Sequence, residues 1–394
     1  MPTYTKFSGK IHALKDIITR ATVSLIPRDK KLIVYGGSWD LFIDNAKHQF
    51  ILNNETMPDF RHVWLTKNKE IVDYMQEHGF QVAESNSLLG IWLLLRAGFI
   101  VYDDGINYFS KPNLAVGAHR INIWHGVPAK MIGRCKRDED CINCNSLSKW
   151  HNIRYSTYGE YMICTSESMV RIFSYSFQIP ANKIIISGYP RTRIFFMSEK
   201  QRLEYIKKYE PDTFQKFYDE IWEMKQRKII YMPTFRDKNR QYLTQAIPDW
   251  NKLNAACQKA NTVLFVKVHR VTPLPDTSGY SNIRIMDNKM DIYPLLPLFD
   301  MLITDYSSIM FDFSLLRKKI LLYTYDMEEY RSQSRPIYNY FDGLLKNLSS
   351  VDNFDDFIKS MNTDIDTIKS FPSDRFFDCP NNFEEIGILI KGLA

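Results

Sequence analysis

The sequence predicts an α/β protein made of two domains, each built around a parallel sheet. Two observations support this. The chain has 394 residues, which is more than one ordinary hydrophobic core accommodates. Short apolar runs alternate with segments of helical periodicity along most of the chain, as in parallel α/β proteins.

Eleven apolar runs are predicted as strands, and they fall into two sets. The first set is Leu32–Tyr35, His62–Leu65, Phe99–Tyr102, Ile121–Trp124, Tyr161–Cys164 and Lys183–Ile186. The second set is Lys228–Tyr231, Val263–Val268, Ile283–Met286, Met301–Thr304 and Ile320–Tyr323. A charged helical stretch, Glu199–Lys228, separates them. We therefore expect two Rossmann-like domains, residues 1–187 and 188–394, and the tail from Asp374 could return to the first.

Composition and motifs narrow the possible functions. The net charge of +6 and the pI near 8.8 suit acidic small substrates or an anionic membrane as well as nucleic acid. The basic residues are dispersed and no nucleic-acid-binding motif occurs, so nucleic-acid binding is not expected. A P-loop kinase is disfavoured because the sequence has no G-x-x-x-x-G-K-[ST] stretch.

We expect a soluble or peripheral protein of the cytoplasm. No cleavable signal is visible at the N-terminus. The most apolar run, Leu88–Leu95, stops at Arg96 and is far shorter than the ~20 residues of a membrane span. Six cysteines in a chain of this length do not indicate a disulfide framework, so reduced thiols are expected.

Polar and cationic side chains follow many of the predicted strands. His125-Gly126, Arg191, Arg236 and His269 each come just after one of them. Ligands of open parallel sheets bind beyond the carboxyl ends of the strands, so these side chains are predicted to converge on one cleft between the domains. Two histidines and several cations suit a diphosphate substrate and a proton transfer.

The segment Met301–Asp312 predicts an anion-binding helix start. Met301–Thr304 is a buried strand, Asp305-Tyr306 ends it, and Ser307-Ser308 opens a helix. Serine is a favoured N-cap, and the first amides of a helix bind anionic oxygens. The alternative is an ordinary N-cap, which is compatible with phosphate binding because both use the same amides.

At six motifs the chain resembles the CDP-glycerol glycerophosphotransferase family, the enzymes that build teichoic acids and related capsule polymers. The motifs are W-H-G-V-P (124–128), G-Y-P-R (188–191), P-T-F-R (233–236), K-V-H (267–269), T-D-Y-S-S-I-M-F-D-F (304–313) and Y-D-M-E-E-Y (325–330). The resemblance implies a GT-B architecture, in which two Rossmann-like domains face an interdomain cleft and the C-terminal one holds most of the nucleotide.

The resemblance implies transfer of glycerol phosphate from CDP-glycerol to a hydroxyl of a lipid-linked or polymeric acceptor, with release of CMP. His125 is the implied general base, and His269, Arg236 and the serine pair are implied contacts of the donor phosphates. The catalytic residues are thus predicted to be His125 and His269. The predicted substrate-binding residues are Gly126, Pro128, Arg191, Thr234, Arg236, Lys267, Asp305, Ser307, Ser308 and Asp312. Neither a cofactor nor a metal is expected.

Two alternative functions remain. The same fold could use CDP-ribitol or a nucleotide sugar as donor, which the released nucleotide would reveal. A non-catalytic, membrane-associated binding protein descended from such an enzyme would bind no nucleotide.

Two segments outside the motifs have interpretations of their own. Cys135, Cys141 and Cys144, with His151 nearby, could form a zinc site, but their irregular spacing favours solvated thiols. Phe7–Ile26 places apolar residues at helical spacing among lysines. It is either a helix packed on the sheet or a basic helix on an anionic membrane. The lipid-linked acceptor that the resemblance implies favours the second interpretation. We therefore expect the protein to be peripheral on the inner face of the cell membrane.

Overall fold

A computed structural model describes residues 22–106, 109, 111–137, 159–236, 239, 241–269, 271–333 and 336–394. Most of the predicted N-terminal helix lies outside these residues, as do Cys141, Cys144 and His151. The strands are β1 (Asp29–Gly36), β2 (Arg61–Thr66), β3 (Val82–Glu84), β4 (Ala97–Tyr102), β5 (His119–Asn122), β6 (Tyr161–Cys164), β7 (Ile184–Ile186), β8 (Arg227–Met232), β9 (Thr262–Val266), β10 (Ile283–Ile285), β11 (Met301–Thr304), β12 (Lys319–Tyr323) and β13 (Ser350–Val351). The α-helices are α1 (Asp44–Thr56), α2 (Lys69–Glu77), α3 (Leu88–Arg96), α4 (Glu167–Phe177), α5 (Glu199–Tyr209), α6 (Asp212–Glu223), α7 (Tyr242–Ala246), α8 (Trp250–Lys259), α9 (Ile309–Ser314), α10 (Met327–Gln333), α11 (Asn339–Leu345), α12 (Phe354–Ser360) and α13 (Glu385–Leu393).

The chain divides into two compact units. Unit 1 comprises the described residues of 1–125 and 146–193 together with 378–394. Its seven-stranded sheet is parallel and has the order β3-β2-β1-β4-β5-β6-β7. Apolar residues of β1, β2 and β4 are buried against α3 in its core.

Unit 2 comprises the described residues of 126–145 and 194–377. Its six-stranded sheet is also parallel, in the order β10-β9-β8-β11-β12-β13. The core on one face joins β8, β9, β11 and β12 to α7, α8 and α12.

Both sheets reverse their strand order once, between β1 and β4 in unit 1 and between β8 and β11 in unit 2. At such a reversal the loops that follow the two central strands diverge to opposite faces of the sheet and leave a crevice where ligands bind. The residues that follow these strands are therefore the first place to look for a site.

The predicted fold class is confirmed, and each of the eleven predicted strands is present. Strands β3 and β13 were not predicted, because three and two residues are too few for an apolar pattern. The predicted helical stretch Glu199–Lys228 is wrong in detail. Pro211 separates α5 from α6, and β8 begins at Arg227.

Strand β5 is shorter at its end than predicted. It ends at Asn122, two residues before the predicted end, and Trp124 already has a positive φ of 47°.

Cys135 is buried and disulfide-bonded, so the prediction of a solvated thiol is wrong at this position. No described helix is both long and apolar enough to cross a membrane.

Candidate active site

A buried carboxyl lies where the strand order of unit 1 reverses. Ser38 follows β1 and Asp103 follows β4. Asp103 Oδ1 accepts hydrogen bonds from the Ser38 backbone N at 2.9 Å and from Ser38 Oγ at 2.7 Å. The Asp103 side chain is 1% exposed, and its Oδ2 is buried without a hydrogen bond to any described residue.

Burial raises the pKa of Asp103 to about 8, and the neighbouring Asp44 and Asp104 act in the same direction. The hydrogen bonds from Ser38 oppose this shift only in part. Loss of hydration therefore disfavours the ionised form of this carboxyl at the strand reversal of unit 1.

His125 lies beside this carboxyl and is half-buried. Its Nδ1 is 2.9 Å from the backbone oxygen of Asp103. A carbonyl oxygen can only accept, so Nδ1 carries a proton, and in the neutral ring Nε2 keeps its lone pair. The ring stacks on Trp124 with 4.1 Å between ring centroids, and Nε2 makes no hydrogen bond to a described residue. This tautomer suits a general base.

Two neighbouring loops hold the backbone that carries His125. Asn45, at the start of α1, donates from Nδ2 to the Trp124 oxygen at 2.8 Å. Arg191, after β7, donates from Nη2 to the His125 oxygen at 3.0 Å and pairs through Nη1 with Asp44 Oδ1 at 2.7 Å. The imidazole is thus fixed through its own ring and through its backbone.

The backbone of this edge is unusually strained. Among the described non-glycine residues, seven have a positive φ, and four of them lie here: Trp39, Asp40, Asp44 and Trp124. Each such residue costs about 1–3 kcal/mol, and such residues cluster at functional sites. The strain supports a ligand site at this edge of unit 1.

The corresponding edge of unit 2 is organised by a buried arginine. Arg236 follows β8, and its Nη2 is 2.8 Å from Asp305 Oδ2, which follows β11. Its Nε is 2.7 Å from Asp326 Oδ2, which follows β12. Burial would lower the pKa of this guanidinium, but the two carboxylates raise it above its ordinary value. Asp305 also accepts the backbone N–H of Thr234 at 2.9 Å.

Aromatic rings surround this ion pair. The guanidinium carbon of Arg236 lies 5.2 Å from the ring centroid of Tyr306 and 4.7 Å from that of Tyr330. The two rings stack with 4.0 Å between centroids. These contacts exclude water from the pair and so strengthen its electrostatic interaction.

His269 and Lys267 lie on the same edge, just after β9. The His269 ring packs on Phe235, with 4.9 Å between centroids, and Lys267 Nζ donates to the Asp287 oxygen at 3.0 Å. Burial lowers the pKa of Lys267 to about 8, against the raising effect of Asp287 and Asp291. Both residues are half-buried. The strand they follow, β9, is paired with β8, which is one of the two strands at the reversal.

The serine pair opens a helix as predicted, but Ser308 does not cap it through its side chain. Helix α9 has only six residues, and Ser308 at its N-cap position makes no side-chain capping bond. Ser307 Oγ accepts from the Ile309 backbone N at a long 3.5 Å. Ser308 already has helical dihedral angles, which turn its hydroxyl away from the next amides. Both serines are half-buried beside Asp305.

Three other predicted residues have distinct surroundings. Asp312 is fully buried within α9 and accepts from the Tyr293 hydroxyl at 2.7 Å. Gly126 and Pro128 belong to a segment of unit 2 that continues directly from His125. The Tyr340 hydroxyl donates to the Pro128 oxygen, and Gly126 has a φ of 132°, which favours glycine.

Comparison with known proteins identifies the family. The sequence model of the CDP-Glycerol:Poly(glycerophosphate) glycerophosphotransferase family matches residues 18–372. The chain belongs to this family.

Its relatives within the family include teichoic acid enzymes. The teichoic acid glycerol-phosphate primase of Bacillus subtilis is 29% identical over 256 residues, which cover 64% of this chain and 61% of the primase. The teichoic acid poly(glycerol phosphate) polymerase of Bacillus spizizenii is 26% identical, with 86% and 84% covered. A teichoic acid ribitol-phosphate primase of the same species is 29% identical over 200 residues. The match to the first primase therefore spans about three fifths of its length.

A solved structure has the same fold. The wall teichoic acid polymerase TagF matches with a TM-score of 0.70 at 20% sequence identity, covering 100% of this chain and 98% of that chain. The likeness in fold therefore extends over both units.

The structure groups the predicted residues of this glycerophosphotransferase-family chain into two sets. Unit 1 brings His125 and Arg191 together, and unit 2 brings Thr234, Arg236 and Asp305 together. That the two sets face one another stays a prediction.

Sequence reasoning missed Ser38, Asp44, Asn45 and Asp103. The signal was present, since Asp103-Asp104 directly follows the predicted strand Phe99–Tyr102 and Ser38 follows Leu32–Tyr35. These residues lie outside the six motifs, and a polar residue after a strand has no distinctive pattern by itself.

Proposed function

We propose that the protein transfers glycerol phosphate from CDP-glycerol to a hydroxyl of a lipid-linked or polymeric acceptor, in the synthesis of a teichoic-acid-type polymer. Family membership and the names of the relatives support this reaction. The observation that carries it is the contact of His125 Nδ1 with the Asp103 oxygen, which leaves Nε2 without a hydrogen bond to any described residue and able to accept a proton.

His125 acts as the general base in this proposal. As the acceptor oxygen attacks the β-phosphorus, its proton passes to Nε2. The bond from that phosphorus to the oxygen of the leaving CMP breaks, and CMP departs with the electron pair. The imidazolium that forms keeps its Nδ1–H bond to the Asp103 oxygen, which stabilises the new positive charge.

The donor phosphates bind at the edge of unit 2 in this proposal. Lys267 supplies positive charge and His269 an N–H donor after β9, and the half-buried Ser307 and Ser308 follow β11, on the other side of β8. Neutralising and positioning the phosphates is most of what such a transfer requires. No cofactor enters the reaction as written.

The base assignment is tested with His125→Ala. We expect its CMP release to fall by about 10²- to 10⁴-fold, the usual contribution of a positioned base. Its affinity for CDP-glycerol, measured by calorimetry, should be retained because the donor is held by unit 2. His78→Ala is the matched control, since His78 is exposed at the end of α2. Turnover by His125→Ala at the wild-type rate would exclude this base.

CDP-ribitol is the second candidate donor, because ribitol-phosphate enzymes are among the relatives. Purified protein is incubated with CDP-glycerol, CDP-ribitol or a UDP-sugar and with membrane extract as acceptor. Release of CMP only from CDP-glycerol supports the proposal, whereas preferential turnover of CDP-ribitol or release of UDP replaces it. If no nucleotide is released and calorimetry detects no binding of any of the three donors, the non-catalytic alternative is favoured.

We also propose that the protein acts on the inner face of the cell membrane. Helix α3 exposes apolar side chains, with Leu88 88%, Leu89 54% and Trp92 57% exposed, and Arg96 lies over the Trp92 ring at 5.8 Å. Exposed leucine and tryptophan beside a cation suit an anionic bilayer surface.

Vesicle binding tests this location. Co-sedimentation with phosphatidylglycerol vesicles should weaken strongly in a Leu88→Glu/Leu89→Glu variant. Leu203→Glu is the control, because Leu203 is 40% exposed on α5 in unit 2. Unchanged sedimentation of the double variant would exclude α3 as the contact.

A further inference from the structure

Each unit contains one motif arginine that is buried and paired with aspartate. Arg191 is 4% exposed and Arg236 is 6% exposed. We propose that both are positioning residues, which brace the loops that carry the reacting groups, and that neither is a ligand of the substrate phosphates. This inference rests on the proposed function and replaces the substrate-binding role predicted for Arg191 and the phosphate contact that the resemblance implied for Arg236.

Arg191 connects three loops of unit 1. Its Nη1 pairs with Asp44 Oδ1 at 2.7 Å, and its backbone N donates to Asn45 Oδ1 at 3.1 Å. Its Nη2 donates to the His125 oxygen at 3.0 Å. The direction in which the imidazole points depends on the backbone to which Arg191 is bonded.

Arg236 has a similar but larger set of partners in unit 2. Its guanidinium donates four hydrogen bonds. Nε donates to Asp326, Nη2 donates to both Asp305 and Asp326, and Nη1 donates to the Thr234 backbone oxygen at 2.5 Å. Asp305 also holds the Thr234 backbone N. The three loops after β8, β11 and β12 are therefore joined at a single guanidinium.

The charges argue against direct phosphate binding. Arg236 carries one positive charge and contacts two carboxylates, so the cluster has a net charge of −1 when both are ionised. Arg191 is already paired with Asp44. A diphosphate would have to displace a carboxylate from a buried ion pair, which leaves that carboxylate unpaired at high cost. Attraction of the diphosphate must come from other groups.

The Arg191 brace is tested without substrate. In protein labelled with 15N-histidine, the His125 ring resonances report which nitrogen carries the proton, and His125→Gln assigns them. We expect Asp44→Asn and Arg191→Lys to shift these resonances in the same direction. Arg193→Lys is the matched control. Arg193 is two residues after Arg191 in the chain, and it pairs with a different carboxylate, Glu55. Unchanged His125 resonances in both variants would overturn the Arg191 brace.

Turnover separates positioning from binding. A misplaced base lowers kcat, so kcat should fall by about 10- to 100-fold in Arg191→Lys and Asp44→Asn with KM for donor and acceptor within about twofold. The double variant should be no worse than either single one. A rise in KM in Arg191→Lys that Asp44→Asn does not reproduce would identify Arg191 as a substrate ligand.

The Arg236 brace predicts an unusual pattern of donor affinity. Arg236→Lys and Asp326→Asn should both weaken calorimetric CDP-glycerol binding, and the double variant should match them. If Arg236 binds phosphate directly, Asp326→Asn frees the guanidinium and should tighten binding, while Arg236→Lys weakens it. Thermal melts confirm that each variant is folded.

The two proposals fail in different ways. If the wild-type protein releases no CMP from CDP-glycerol, the proposed transfer is wrong, whereas the histidine resonances still decide the Arg191 brace. If turnover is normal but the Asp44→Asn variant behaves as wild type in both measurements, the transfer stands and the brace is wrong.

Discussion

Burial controls the charge of Lys267. Its ammonium group, half-buried after β9, loses hydration, and the pKa falls to about 8 although Asp287 and Asp291 oppose the change. The side chain is mostly protonated at neutral pH and becomes neutral as the pH rises through about 8. Any attraction that it provides for a diphosphate must disappear over the same interval.

We therefore predict that the affinity for CDP-glycerol falls as the pH rises from 7 to 9. Arginine stays charged throughout this range, so Lys267→Arg should keep its affinity to higher pH. Calorimetric titration at several pH values measures both. Parallel pH profiles for the wild type and Lys267→Arg would exclude Lys267 as the titrating group.

At the scale of elements, a buried polar chain links β1, β2 and α1. Asn53 donates to the Tyr35 hydroxyl at 2.7 Å, and Tyr35 donates to His62 Nδ1 at 3.0 Å. His62 Nε2 donates to the Met57 oxygen at 2.9 Å. The Met57 carbonyl can only accept, so His62 Nε2 carries a proton, and in the neutral ring Nδ1 then accepts from Tyr35.

Burial lowers the pKa of His62, and the bond to Met57 opposes this only in part. The folded state thus binds fewer protons than the unfolded state near and below the ordinary histidine pKa of ~6.5. Stability is fully present above that pH and falls as the pH drops below it. The free energy of unfolding, from urea titrations at pH 7 and pH 5, should decrease more for the wild type than for His62→Gln. Equal decreases would remove His62 as the cause.

Helix α3 packs on β3 through a glycine. A Cβ on Gly90 would lie 2.2 Å from the Glu84 backbone oxygen. We expect Gly90→Ala to lower the free energy of unfolding by about 1–3 kcal/mol, the usual cost of overpacking. Gly343→Ala is the matched control, because that Cβ meets nothing within 4 Å in α11; it should be neutral or stabilising. Urea titration measures both, and an unaffected Gly90→Ala would contradict this packing.

At the scale of the whole molecule, the last residues of the chain belong to unit 1 although unit 2 precedes them. The Gly188 backbone N donates to the Asn382 oxygen at 2.7 Å, and the Glu167 backbone N donates to Asp378 Oδ2 at 2.7 Å. Ile386 and Ile390 on α13 are fully buried. Unit 1 is therefore complete only when the end of the chain has folded onto it.

We predict that Ile390→Ala destabilises unit 1 by about 2–5 kcal/mol. Hydrogen exchange measured by mass spectrometry should show faster exchange in β6 and β7, while β8 and β9 in unit 2 keep their protection. Ile388→Ala on the same helix is the control, since Ile388 is 57% exposed. Equal loss of protection in both units would indicate that they unfold together.

Local patterns were sufficient to predict much of the fold and part of the site. Apolar runs identified eleven strands, since their burial is a property of neighbouring residues, and the motifs led to His125 and His269. Ser308 occupies the expected N-cap position but makes no side-chain capping bond, because its dihedral angles are helical and depend on how α9 packs. Asp103 was overlooked, because a carboxyl after a strand has no distinctive pattern.

The sequence by itself determined the class of the fold, the strands and the residue types that follow them, because hydrophobic periodicity and turn residues act over a few positions. Only the tertiary structure decided which side chains meet, that Arg191 and Arg236 are paired with carboxylates, and that burial raises the pKa of the Asp103 carboxyl. Ion pairing and pKa depend on distance and burial, which are set by strand order between residues far apart in the chain.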